Sequence, residues 1–284
     1  MSKILGVDIG GTTMKMAVVE GGSLSQQEVA PTPGDPRDIV ELLVRWHRDH
    51  PLPMGICCAG TVDPEAKAIT ELGGNIQGWR HFPLGEALAE RGVSLAALEN
   101  DANAALVAEC SFGQLEDNRH SLLITLGTGI GGAYTLDGRT PLRGSRGAAM
   151  EIGHILLHPG GRSCACGQRG CAEEYLSARA LRALMEGEGS SDTDLFLQSP
   201  RGGAYIEELA AYLLSLTTIL DPRNILLGGG LVEYSRKLIP LLKEEMPKQS
   251  NGAHGAALYP AHLGNQGGIV GAAILAARAL AAEA

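Results

Sequence analysis

Residues 3–19 read Lys3-Ile4-Leu5-Gly6-Val7-Asp8-Ile9-Gly10-Gly11-Thr12-Thr13-Met14-Lys15-Met16-Ala17-Val18-Val19, two apolar runs parted by a short polar turn. Lys3 to Asp8 and Met14 to Val19 both have the aliphatic and β-branched density of strands. Gly10 and Gly11 let the chain reverse between them without a Cβ in the way, so the stretch predicts a glycine-tipped hairpin. The arrangement returns where Leu122-Leu123-Ile124-Thr125-Leu126 leads into Gly127-Thr128-Gly129-Ile130-Gly131-Gly132 and a strand from Ala133 to Leu136. Two halves of the chain therefore open alike. Asp137-Gly138 is then a type I′ turn signal, which predicts that the meander continues as a further strand over Arg139 to Arg143.

Beyond the first hairpin, Asp35 precedes Pro36, and Ile39, Leu42, Leu43 and Trp46 recur at helical spacing. A helix capped by Asp35 with Pro36 at its first position follows. Met54 to Ala59 predicts a short strand, Asp63-Pro64 a hairpin, and the stretch from Gly73-Gly74-Asn75 to Gly78-Trp79 a loop. After a helix near Leu84 to Arg91, the apolar run Leu95 to Leu98 delivers Glu99-Asn100-Asp101 to a strand end. Good helix formers from Ala102 to Cys110, closed by Gly113, put Asp101 at a strand-to-helix junction, where ligands gather in α/β sheets. Further on come a helix from Ala204 to Leu220 ended by Asp221-Pro222, a strand from Asn224 to Leu227, Gly228-Gly229-Gly230, and a last helix from Ile269 to Ala282. On a prior of ~150 residues per domain, the 284 residues suggest two lobes. The first is a small α/β lobe over 1–115 and the second a larger one over 116–268, with the terminal helix, 269–284, able to pack back on the first.

The formal net charge of -9 argues against a sequence-independent grip on nucleic acid phosphates. Asp8 interrupts the N-terminus before an apolar signal segment could form, and the C-terminal apolar run contains Arg278 and stops at Glu283, short of the ~20 residues of a membrane helix. A cytoplasmic protein without a membrane partner is expected. Six cysteines are then poorly used as disulfides, because that compartment keeps thiols reduced. Cys57, Cys58 and Cys110 read as small buried hydrophobes. The 39 glycines, without a collagen-like period, imply many tight turns and close backbone approaches.

The other three cysteines belong to the most specific signal in the chain. Glu151-Ile152-Gly153-His154 is followed by Cys164-Ala165-Cys166-Gly167 and Gly170-Cys171-Ala172-Glu173, so one imidazole and three thiols fall within eighteen residues. Such donors suit tetrahedral Zn²⁺ and leave no coordination position for water, which makes the expected site structural. An exposed helix or strand face would be the bland reading of Glu151 and His154, and the cysteine cluster overrides it. Glu151 and Glu173 flank the ligands, so one ion could hold both carboxylates at a shared pocket. The glycine loops carry a second theme. Backbone N–H groups around Gly10, Gly11, Thr12 and Thr13 can hold phosphate oxygens, with Lys15 following on the next strand and Asp8 able to orient hydrated Mg²⁺. Alone this is as often a plain turn. Gly127, Thr128, Gly129 and Gly131 supply the second such loop, and Gly228, Gly229 and Gly230 leave backbone bare enough to lie against a nucleobase. Asp101 has two readings, a helix N-cap or a carboxylate that accepts a proton from an attacking alcohol if Asn100 does the capping.

Two phosphate loops opening paired halves resemble the clamps of the actin-like ATPase fold. Over nearly its whole length the chain also resembles the ROK family of bacterial sugar kinases and sugar-responsive repressors. That resemblance rests on Asp8-Ile9-Gly10-Gly11-Thr12, Asn75 and Trp79, Glu99-Asn100-Asp101-Ala102-Asn103-Ala104, Leu126 to Gly132, Glu151-Ile152-Gly153-His154 and the Cys-x-Cys-Gly-x-x-Gly-Cys-x-Glu knot. It implies a two-lobed α/β fold of the actin-like ATPase and hexokinase (ribonuclease H-like) class, gripping ATP with Mg²⁺ between its lobes. It implies Asp101 as catalytic base, with Asn75, Asn100, Asp101, Glu151, His154 and Glu173 on the sugar, and Zn²⁺ on His154, Cys164, Cys166 and Cys171. The segment from Asn75 through Gly78-Trp79 to Phe82-Pro83-Leu84 looks like glucokinase members, with N-acetylmannosamine as the alternative substrate, and family members often form homodimers. ROK regulators carry an N-terminal DNA-binding domain, for which a strand starting at Lys3 leaves no room; a binding-only sugar protein is the remaining rival. Met150, where the family commonly carries Gly, and Cys57-Cys58 depart from the pattern, and both departures bear on substrate choice.

Overall fold

The computed structural model describes residues 2–70, 76–250 and 255–283. In chain order the elements are β1 (Ile4–Ile9), β2 (Thr13–Glu20), β3 (Ser23–Pro31), α1 (Pro36–Asp49), β4 (Met54–Cys58), β5 (Val62–Asp63), β6 (Ala68–Ile69), α2 (Leu84–Ala89), β7 (Leu95–Asn100) and α3 (Asp101–Phe112). They continue as β8 (Ser121–Leu126), β9 (Ile130–Thr135), α4 (Glu173–Leu176), α5 (Ala178–Gly187), α6 (Thr193–Leu197), α7 (Pro200–Leu220), β10 (Asn224–Gly228), α8 (Gly230–Tyr234), α9 (Leu238–Ser250), β11 (Ala257–Pro260) and α10 (Gly267–Glu283). Two compact units result: Met1–Leu115 with Arg139–Ala149 and Asn265–Ala284, and Glu116–Gly138 with Met150–Gly264.

The first unit is built on a five-stranded sheet in the order β3-β2-β1-β4-β7. Its first hairpin pairs Ile9 with Met14, and β1, β4 and β7 run parallel. One face buries Val7, Ile9, Ile39, Leu43, Trp46, Ile56 and Leu98 in a common core with α1. That helix starts as its sequence predicts: Asp35 Oδ1 accepts the Arg37 N–H at 2.8 Å, and Pro36 occupies the first turn where its missing N–H is no loss. Trp46 is wholly buried and sends its indole N–H to Glu28 Oε2 at 2.7 Å.

On the same unit α10 packs against β1, β4 and α3. It can lie this close because glycines face it. A Cβ on Gly55 would sit 2.1 Å from the Ala272 carbonyl oxygen, and one on Gly271 would sit 1.8 Å from that of Ala104. Both clashes are with backbone, so no rotamer can relieve them. Gly271→Ala is therefore expected to cost about 1–3 kcal/mol, the usual toll of overpacking, and denaturant midpoints measure it; an unmoved midpoint would show that α3 and α10 can part without loss.

The second unit carries a four-stranded sheet, β11-β10-β8-β9, with β8, β10 and β11 parallel and β9 antiparallel to β8. Leu122, Ile124 and Leu126 point from β8 into a core shared with Leu209, Leu213 and Leu216 of α7. The hairpin between β8 and β9 pairs Leu126 with Ile130, so both quoted glycine stretches are hairpins. The expected strand at Arg139 to Arg143 does not form. Gly138 alone of the turn pair takes a positive φ, 73°, so the type I′ geometry fails, and the segment leaves β9 to join the first unit. Asp221 ends α7 in the left-handed conformation at φ 42°, just before Pro222.

Candidate functional site

Three parallel strands of the first unit end side by side, because Asp8 is in register with Cys57 and Cys58 with Asn100. This aligned edge is where α/β sheets take ligands. At the β1 end, Gly10 N–H donates to Thr13 O at 3.0 Å, and Thr32 braces the turn by donating Oγ1–H to Gly10 O at 2.7 Å. Gly11, Thr12 and Thr13 are exposed, and nothing lies within 4 Å of where a Gly11 Cβ would be. Lys15 stands across from Asp8 on β2. Burial raises the Asp8 carboxyl, against the pull of Lys15 and of Cys57 Sγ–H, which donates to Oδ1 at 3.7 Å.

At the β7 end the choice between Asn100 and Asp101 as cap resolves. Asn100 Oδ1 accepts the N–H groups of Ala102 at 2.9 Å and Asn103 at 3.1 Å, while its Nδ2 donates to Gly60 O at 3.0 Å. Asp101 is then the first helical residue, and its Oδ1 also takes the Ala102 N–H at 2.8 Å. The helix dipole favours its anion there. Two residues that the sequence reading passed over stand behind this junction: Glu99, buried, is paired with Arg143. Cys57 and Cys58 are both buried, Cys57 against Ala104 and Ala272 and Cys58 in the α1 core, so neither thiol opens toward solvent. Asn75 lies outside the described residues, while Trp79 is core, stacked on Phe82 at 5.6 Å.

In the second unit Gly228 is in register with Thr125, so Gly228-Gly229-Gly230 and the loop at Gly127, Thr128 and Gly129 leave adjacent strand ends. Gly229 takes φ 85°, and a Cβ would meet Leu126 O at 2.7 Å. Gly131 continues into β9 opposite Thr125. Glu173 Oε2 accepts the Ile130 N–H at 2.9 Å, and a Cβ on Gly129 would fall 2.2 Å from that oxygen. Glu173 thus shapes the glycine loop.

Glu151 precedes a 3-10 turn, Ile152–His154, whose Ile152 carbonyl accepts Tyr212 Oη–H at 2.8 Å. Burial raises Glu151, His154 opposes this and Glu173 adds to it, so the three groups share one electrostatic neighbourhood. Met150 holds φ 68°, a conformation that costs an L side chain roughly 1–2 kcal/mol. A glycine at this position would adopt that φ freely, and Met keeps the backbone path at that expense.

The ligand atoms of His154, Cys164, Cys166 and Cys171 all lie within 4.8 Å of one another, with Nδ1 of His154 3.5 Å from Cys164 Sγ and the sulfurs of Cys166 and Cys171 3.6 Å apart. Zn–S and Zn–N bonds of ~2.0–2.3 Å at tetrahedral angles need much this spacing. The donor set and its geometry fit a structural metal. Burial pushes the Cys171 thiol up to about 12, so its thiolate calls for a cationic partner. Glu173 and Glu174 reach within 4.8 Å of Cys164, which ties the glycine-loop carboxylate to the knot.

The sequence profile of the ROK family matches residues 4–279. The chain belongs to the ROK family. This ROK protein is 35% identical to a glucokinase of Streptomyces coelicolor over 97% of its own length and 98% of the relative's. It is 30% identical to an N-acetylmannosamine kinase of Shigella boydii over 96% and 97%. Among solved structures it matches a ROK family glucokinase from Streptomyces griseus in complex with glucose and AMPPNP, with TM-score 0.81, 30% identity and coverage of 98% and 100%. The α/β fold of the actin-like ATPase and hexokinase class is the expected one. Among the described residues no helix is long and apolar enough to cross a membrane.

Proposed function

We propose that this ROK protein is an ATP-dependent hexose kinase that phosphorylates glucose, with Asp101 as the general base. The observation that carries the reading is the β7–α3 junction: Asn100 meets the capping need of α3, and the Asp101 carboxylate stands at the helix start, on the sheet edge that also bears the Asp8–Thr13 loop. Asp101 takes the proton of a sugar hydroxyl as its oxygen bonds to the γ-phosphorus and the bond to the ADP oxygen breaks. Asp8 would orient Mg²⁺, which when bound neutralises charge on the transferring phosphoryl group. Gly10, Gly11, Thr12, Thr13 and Lys15 on one unit, and Gly127, Thr128, Gly129 and Gly131 on the other, offer backbone and side-chain donors to phosphates; Gly228 to Gly230 offer a bare surface to the base.

Asn75, Asn100, Glu151, His154 and Glu173 would hold sugar hydroxyls. His154 has Nδ1 turned to the cysteines, so its Nε2 is the nitrogen left for a hydroxyl, and a structural Zn²⁺ on His154, Cys164, Cys166 and Cys171 would fix that tautomer. Glucose is favoured by the 35% identity to a glucokinase; N-acetylmannosamine is the second reading, from the relative at 30%. ATP-dependent ADP release against glucose, mannose, fructose, allose, N-acetylglucosamine and N-acetylmannosamine tests both. Turnover is expected with glucose foremost; preference for N-acetylmannosamine would transfer the assignment, and no turnover with any of the six would overturn the kinase reading for hexoses.

A further inference from the structure

Glu99 is a charged residue with 1% of its side chain exposed, immediately before the cap of α3. Its Oε1 accepts the backbone N–H of Asn100 and Nδ2 of Asn103, both at 3.0 Å. Its Oε2 accepts Nε and Nη2 of Arg143 at 2.7 and 2.6 Å, a two-pronged guanidinium contact. The carboxylate is thus held on one side by residues either side of Asp101 and on the other by a segment more than forty positions away. Arg143 belongs to 139–149, the stretch that leaves β9 to join the first unit.

A buried ion pair is weak evidence of stabilisation, since an apolar pair of similar volume often serves as well. What a fork-on-carboxylate contact supplies is direction: charge-assisted bonds at fixed angles. We propose that Glu99 and Arg143 form a positioning pair for Asp101, fixing the Asn100–Asn103 turn so that the carboxylate meets the sugar hydroxyl in line. The inference rests on Asp101 being the base. Neither residue touches the reacting atoms; both act through the backbone at Asn100 and the side chain of Asn103.

The pair also sets charge near Asp101. Among the described residues, the other titratable groups at the ends of β1, β2 and β4 are Asp8, Lys15, Cys57 and Cys58, and burial and the nearby Asp8 and Asp101 carboxylates push the two thiols up. On 139–149 they are Arg139, Arg143 and Arg146, and α10 brings no titratable side chain before Arg278. Removing one member of the pair leaves an uncompensated charge of known sign. Glu99→Gln leaves the Arg143 cation, which lowers the pKa of a neighbouring carboxyl; Arg143→Gln leaves the Glu99 anion, which raises it.

Steady-state kinetics with the productive sugar, pH profiles of kcat and thermal melts of Glu99→Gln, Arg143→Gln, Arg143→Lys and Asp101→Asn make the test. Misplacing a reacting group by ~1 Å can cost ~10²-fold. We expect kcat to fall at least ~10-fold in Glu99→Gln and Arg143→Gln with the sugar KM within ~3-fold. Arg143→Lys, which keeps the charge and loses the fork, should fold with a near-normal melt and fall between them and wild type. The acid limb of the kcat profile should move to lower pH in Glu99→Gln and to higher pH in Arg143→Gln. A lower melting temperature with unchanged kcat per folded molecule and an unmoved limb overturns the inference, as does a rise in KM alone. Near-normal turnover in Asp101→Asn removes the base assignment itself, whereas a dead Asp101→Asn beside an undisturbed Arg143→Gln and Glu99→Gln overturns the positioning role alone.

Discussion

Asp101→Asn should yield a folded protein that still binds glucose and barely turns it over, with kcat down by ~10²–10⁴-fold or more, the range that a positioned general base contributes. The substitution keeps size and shape, and the α3 cap survives because Asn100 Oδ1 receives the N–H groups of both Ala102 and Asn103, of which Asp101 shares the first alone. What is lost is an anionic oxygen able to accept the hydroxyl proton as the oxygen attacks phosphorus. A variant at Asn100 would confound the two effects, since its amide also ties the junction to Gly60. Calorimetric titration of glucose alongside ADP release separates binding from chemistry. Unchanged binding with turnover gone supports the base. Turnover within a few-fold of wild type would mean that another group takes the proton, and would direct attention to Asp8, a second carboxylate on that sheet edge.

Removing the proposed structural metal, by a strong chelator or by Cys171→Ser, is the second large effect expected. Cys171 is wholly buried and its strand-like bridge to Leu156 closes the segment between His154 and Glu173. That segment owes little of its order to regular structure: among the described residues it holds isolated bridges at Leu156–Cys171 and Ser163–Arg169 and a run of tight turns. Structural zinc in small domains supplies ~10 kcal/mol or more of folding free energy, and a knot of this kind should rely on it similarly. Loss should lower the melting temperature by more than ~10 °C, since each kcal/mol moves a domain of this size by ~2–4 °C. It should also raise the glucose dissociation constant, because Glu151, His154 and Glu173 are carried on or beside the knot. Metal analysis, calorimetry and glucose titration of the treated protein check this. A Cys171→Ser protein that melts and binds glucose like wild type would remove the structural role.

Much of the architecture was legible locally. The hairpins at Gly10 and Gly127, the capped start of α1 at Asp35 and the end of α7 at Asp221-Pro222 are set by residues within a few positions of one another, and the structure has them all. Where the reading fell short, the deciding partner was distant. A strand at Arg139–Arg143 was a fair inference from Asp137-Gly138, yet a strand needs an edge to pair with, and Arg143 instead turns to Glu99. The two readings of Asp101 stayed open because either Asn or Asp caps a helix; the carbonyl of Gly60, forty residues back, settles which one does. Cys57 was rightly a buried thiol, but only the register of β4 with β1 shows that it leans on Asp8.

By itself the sequence determined the two glycine hairpins, the capped start of α1, the family and the one-His, three-Cys donor set of the knot, because periodicity, turn chemistry and ligand spacing act over short stretches of chain. Tertiary structure decided which residues share an edge or a buried charge: Asp8 beside Cys57, Glu173 against the Gly129 loop, Arg143 on Glu99, and Met150 in a conformation that suits glycine. Those outcomes depend on strand register and on which backbones can approach closely, and both are set by packing across the whole unit rather than by any run of residues.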